Sequence, residues 1–66
     1  MRISGRTVAC IAADKRMNAR DLAAAAGLTA KTVQQCFTFQ IVDMQPATAG
    51  AIAAALGVKT ADIIAE

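Results

Sequence analysis

The apolar positions fall into short groups separated by polar or glycine-containing breaks. Val8, Ile11 and Ala12 recur at the three- and four-residue spacing of one helix face. That spacing predicts a helix from about Ser4 to Lys15, with Met17 closing the face. Asn18 is the next N-cap candidate. Asp21, three residues on, makes a variant of the capping box and puts negative charge where the helix dipole favours it. The second helix therefore runs Ala19–Ala26 and stops at Gly27, which suits the left-handed position after a helix. Only Leu28 separates it from Thr29, the predicted cap of a third helix reaching about Phe37, in which Val33 and Cys36 form an apolar pair. So short a junction rules out an antiparallel pair. The two helices must cross at a large angle, as in a helix-turn-helix over about residues 19–38.

Beyond the third helix, Phe37, Phe39 and Ile41 alternate with Thr38 and Gln40, a short strand-like pattern. Pro46 fits the first turn of a fourth helix that ends at Leu56–Gly57. Thr60 is expected to cap a last short helix, Ala61–Ala65, anchored by Ile63 and Ile64. The expectation is five short helices without a sheet: an all-α fold in a single domain spanning residues 1–66. Alanine supplies 17 of the apolar residues, and there are two Phe and no Trp or Tyr. Alanine favours helix but buries little area, so the core is thin and self-association becomes a second source of buried surface.

Charge is unevenly spread. Up to residue 35, Arg2, Arg6, Lys15, Arg16, Arg20 and Lys31 stand against Asp14 and Asp21, a balance of +4. The remainder sets Lys59 against Asp43, Asp62 and Glu66, a balance of −2. A basic first half suits an anionic partner such as nucleic acid. Cys10 and Cys36 form no metal or redox spacing and no His accompanies them. Without a signal-peptide pattern they read as free thiols of a cytoplasmic protein. No apolar run reaches the roughly 18 residues needed to span a bilayer, so no membrane segment is expected. The chain has no glycine-rich phosphate loop and no Ser or Cys with a base at a meaningful spacing, and Asp14 and Asp21 fall on different helices. Neither an enzyme nor a cofactor is expected.

The most informative feature is an ordered set of small and apolar residues across the predicted crossing. Ala23 sits where the second helix must pass close to the third, and Gly27 allows the turn. Val33 plugs the crossing, Cys36 continues the buried face, and Leu22 and Leu28 pack on either side. With these residues in place, the segments "MNARDLAAAAGLTAKTVQQC" and "IAAALGVKTADII" resemble the Cro/repressor-type (XRE-like) helix-turn-helix family of bacteria and phages; together with the Val8–Ile11 helix the resemblance covers about 55 of the 66 residues. The resemblance implies a compact five-helix, lambda-repressor-like domain that binds operator DNA as a homodimer and regulates transcription, with the helix 30–37 in the major groove. Carried across by position, Asn18, the backbone near Ala19, and Thr29 meet phosphate. Arg20, at the start of the second helix, is a further phosphate candidate, with pairing to Asp21 or a solvated side chain as the alternatives. Ala30, Lys31 and Thr32 begin the reading helix, and Gln34 and Gln35 follow, Gln35 facing the groove. Lys31 suits guanine O6 and N7, glutamine pairs bidentately with adenine, and Ala30 can touch a thymine methyl.

Family members often carry a glycine-containing turn and basic residues after the third helix. This chain has Phe37 to Asp43 there instead. Phe39, Ile41 and Val42 are too apolar for an idle surface loop. The loop either folds back to supplement the core or forms an edge strand that builds a dimer. The competing reading of the whole chain is a protein-interaction or antitoxin-like module that keeps the helix-turn-helix fold.

Overall fold

Capping side chains, glycines and one proline set the helix boundaries in the computed structural model, which describes residues 1–65. Glu66, counted in the charge balance, lies outside them. Helix α1 spans Gly5–Asp14 after the N-cap Ser4, whose Oγ accepts the Thr7 N–H at 3.2 Å. Helix α2 spans Ala19–Ala26 and opens on a complete capping box. The Asp21 N–H donates to Asn18 Oδ1 at 2.8 Å, and the Asn18 N–H donates to Asp21 Oδ2 at 3.3 Å. Helix α3 spans Ala30–Thr38 after Thr29, and α4 spans Pro46–Leu56. Pro46 begins α4, where its missing N–H would have had no helical partner.

Two features correct the all-α, five-helix expectation. Arg2–Ser4 forms a strand, β1, that pairs antiparallel with β2, Ile41–Asp43, in the register Arg2↔Asp43, Ile3↔Val42, Ser4↔Ile41. The ladder continues through Gly5 N–H to Gln40 O at 2.8 Å and Met44 N–H to Met1 O at 2.9 Å. The last predicted helix is instead a 3₁₀ turn, Thr60–Ile63, in which the Asp62 carboxylate accepts the Lys59 N–H at 3.1 Å. The chain then runs extended because the second edge of β1 captures it. Ile3 bridges Ile64, and the Ala65 N–H donates to Arg2 O at 2.9 Å. Hence Ile63 alone is a core anchor, while Ile64 is 38 % exposed. Among the described residues the fold is mostly helical, with four α-helices and a small sheet.

One core joins these elements. Ile3 and Val42 from the sheet, Val8 and Ala12 from α1, Leu22 and Ala23 from α2, Val33 and Cys36 from α3, and Ile63 all belong to it. Helix α4 adds Ala49, Ile52, Ala53 and Leu56, the one-face spacing of a buried helix. The apolar loop after α3 therefore does fold back, but through Val42. Phe39 and Ile41 lie in the opposite phase and stay 58 % and 43 % exposed.

Gly5 makes the tightest approach of the four glycines. A Cβ there would lie 2.5 Å from the Cys36 carbonyl oxygen and closer still to that of Phe39. The start of α1 thus rests directly on the backbone at the end of α3. This contact fixes the far end of the helix that the sequence marks as the reading element.

Candidate nucleic-acid interface

The junction between α2 and α3 is built almost wholly from backbone bonds. Gly27 adopts φ +71°, its N–H donates to Ala24 O at 3.4 Å, and the Leu28 N–H donates to Ala23 O at 2.9 Å. This is the paired bonding of a Schellman cap, and it turns the chain into Thr29 without a spare residue. Thr29 Oγ1 accepts the Thr32 N–H at 3.4 Å and shares a 2.9 Å hydroxyl contact with Thr32 Oγ1. Ala23 is 3 % exposed and Val33 fully buried, which places the small residue and its plug in the common core.

With Val33 and Cys36 turned inward, a rotation of about 100° per residue fixes what α3 presents outward. The opposite face centres on Lys31 and Thr38 and is flanked by Gln34 and Gln35, all four exposed. Ala30 and Phe37 lie along one margin of that face and are also exposed. Helix α3 has no acid in its first turn, so its positive end and the Lys31 ammonium act on an approaching anion together.

The family of Cro/C1-type helix-turn-helix DNA-binding domains matches residues 10–65. The chain belongs to that family. None of the curated proteins compared with it matches. The matched span begins inside α1, so β1 and the Gly5 contact precede it.

Within this Cro/C1-type domain the nine sequence-marked residues gather at two helix starts. Asn18, Ala19 and Arg20 form the start of α2; Thr29, Ala30, Lys31 and Thr32 form the start of α3, with Gln34 and Gln35 one turn further on. The capping box commits the N–H groups of Asn18 and Asp21 within the turn. The N–H groups of Ala19 and Arg20, at the first two helical positions, remain available to a phosphate, as does the Asn18 side-chain amide. Asp21 places a carboxylate on the same turn, so an anion is better received from the Ala19–Arg20 side. Thr32 is half-buried and its hydroxyl meets Thr29, which makes it a support of the cap more than a reader. Thr38, which the sequence did not mark, lies on the same outward stripe, but its hydroxyl donates to Gln34 O at 3.1 Å. Only the helical phase, once Val33 and Cys36 are fixed, brings it to notice.

A groove of about 300 Å³ lies at the other end of α3, lined by Arg6, Ala9, Cys36, Phe37, Thr38, Phe39 and Gln40. Its polar groups include no carboxylate or imidazole for acid–base chemistry. Among the described residues no three His, Cys, Asp or Glu side chains gather as a metal site, and no helix is long and apolar enough to cross a membrane.

The two free thiols differ sharply. Cys10 is exposed on α1, whereas Cys36 is buried and desolvation pushes its pKa up. A thiol reagent on the native protein is expected to modify Cys10 promptly and Cys36 at least about 10-fold more slowly, as the fold opens. The check is the time course of a Cys10→Ser variant, which should retain the slow phase alone.

Proposed function

We propose that the chain is a transcriptional regulator that reads operator DNA with α3 in the major groove, as a homodimer. The exposed polar face of α3 carries this reading: Lys31, Gln34 and Gln35 stand free while Val33 and Cys36 lock the helix to the core. Lys31 would donate to guanine O6 and N7, and Gln34 and Gln35 would pair with adenine edges, Gln35 the more directly. Ala30 would touch a thymine methyl, with Thr32 holding the cap beneath it. Asn18, Ala19, Arg20 and Thr29 would fix the register on phosphates. Two copies would address half-sites about one helical turn apart, roughly 34 Å.

Fluorescence anisotropy with duplex DNA across a salt series tests the reading. Affinity should fall with salt, with a log–log slope of about −0.9 for each phosphate neutralised. Absence of binding at low salt, or binding indifferent to salt, rejects it. Selection from a random oligonucleotide pool should then return a palindrome with half-sites one turn apart.

The homodimer has support in the outer edge of β2. Gly5–Gln40 and Met44–Met1 are hydrogen-bonded pairs, so the alternation of an antiparallel ladder turns the N–H and C=O groups of Ile41 and Asp43 away from β1. Exposed Phe39 and Ile41 stand beside that edge. A second β2 edge related by a two-fold axis could satisfy these groups and cover the apolar pair. Sedimentation of a Phe39→Asp/Ile41→Asp variant is expected to show a monomer. A dimer unchanged by these charges would overturn this interface.

A further inference from the structure

Three helices of this domain end in the same bonding pattern. After α2 the left-handed residue is Gly27, and after α4 it is Gly57 at φ +73°, with Gly57 N–H to Ala54 O at 3.1 Å and Val58 N–H to Ala53 O at 3.0 Å. After α1 it is Arg16 at φ +57°, with Arg16 N–H to Ala13 O at 3.0 Å and Met17 N–H to Ala12 O at 2.9 Å. In each case the next residue, Leu28, Val58 or Met17, packs against the core. The bonding is shared, although Lys15 at φ −93° stands between the end of α1 and Arg16, whereas Gly27 and Gly57 follow their helices directly. Two use glycine, and the third holds an arginine, the only non-glycine residue at positive φ among the described residues.

A side chain at that angle strains the backbone, and the core contact of Met17 would be served equally by glycine. Strain of this sort points to a use for the side chain itself. The neighbouring lysine reaches toward another helix: Lys15 Nζ lies 3.8 Å from where a Cβ on Gly57 would stand, at the negative end of α4. Arg16 is exposed, two residues before the cap of α2, with Arg20 on the first turn beyond. The acids flanking it in sequence are Asp14 and Asp21, and the capping box holds Asp21 against the Asn18 N–H.

We infer that Arg16 is a DNA-backbone contact, gripping the phosphate received at the start of α2. This rests on the operator-binding reading above. It adds a positioning residue outside the helix-turn-helix proper, held by a strained cap instead of by a helix face.

Arg16→Gly tests it, because a structural role and a DNA role predict opposite results. Relief of strain should raise Tm by a few degrees, while affinity for duplex falls about 3–10-fold at low salt and the salt slope shallows by about 0.9. Arg16→Asn, which tolerates the same backbone angle without the charge, should lose the same slope. Arg16→Lys should largely keep it. Arg6→Gln removes equal charge about 15 Å away, at the other end of α1, and should change the slope less. If wild type binds with salt dependence but Arg16→Gly matches its slope, the contact is overturned and operator binding stands. If Arg16→Gly lowers Tm, the arginine is structural and the inference likewise falls. Wild type that fails to bind at all rejects operator binding, and the contact with it.

Discussion

Gly5→Ala is expected to lower Tm by about 12–24 °C, with loss of cooperative folding at the upper end of that range. The added methyl meets two backbone carbonyl oxygens, those of Cys36 and Phe39, rather than the end of a flexible side chain. Relief requires α1 to lift from α3, and α1 carries Val8 and Ala12 into the core. Overpacking costs about 1–3 kcal/mol where side chains can adjust; here the neighbours are main chain, so about 3 kcal/mol or more is expected. At about 0.05–0.15 kcal/mol per residue, a domain of this length has a total stability of only about 3–10 kcal/mol. Helix propensity would argue the other way, since alanine exceeds glycine by about 1 kcal/mol in a helix interior. Thermal unfolding followed by circular dichroism decides between them. A Tm equal to or above wild type would show that the α1–α3 approach can open without penalty.

The residues that announce themselves in the sequence are those whose partners are local. The Asn18–Asp21 box and Gly27 delimit α2 at Ala19–Ala26, and Pro46 with Gly57 delimits α4, because each end is settled within four residues of chain. The same local logic misread the C-terminus. Thr60 has the chemistry of a cap, yet the turn is organised by Asp62 on the Lys59 N–H, and β1 draws the following residues into extension. Strand β1 itself is three residues, Arg-Ile-Ser, with one buried side chain, too short for alternation to register. The strand-like run after α3 was legible as a pattern, but its buried member, Val42, depends on pairing with Ile3 some forty residues away. Gly5 and Arg16 were silent for related reasons. One matters through a tertiary backbone contact, and the other through a dihedral angle that arginine does not advertise. At the candidate site, residue identities were legible from the helix-turn-helix spacing. The division of labour was not: Thr32 turned to its cap and Thr38 brought onto the outward face follow only from the helical phase.

Lys31→Ala/Gln35→Ala should cut operator selectivity steeply while leaving the fold intact. Both side chains are exposed on the face opposite Val33 and Cys36, so their loss opens no cavity, and stability should stay within about 0.5 kcal/mol of wild type. Each base contact is worth about 1–3 kcal/mol of discrimination, so the pair should cost about 2–6 kcal/mol, at least roughly 30-fold, on the selected palindrome. Binding to random duplex should weaken far less. It loses one cation at the start of α3 but retains the phosphate contacts proposed for Asn18, Ala19, Arg20 and Thr29. The ratio of the two affinities is therefore the quantity to measure, at one fixed salt concentration. A collapse of that ratio with unchanged Tm identifies α3 as the reading helix. A ratio that survives means the outward face of α3 does not read bases. The weight then shifts to the apolar edge of β2 with Phe39 and Ile41, and to a domain that uses this fold to hold a protein partner.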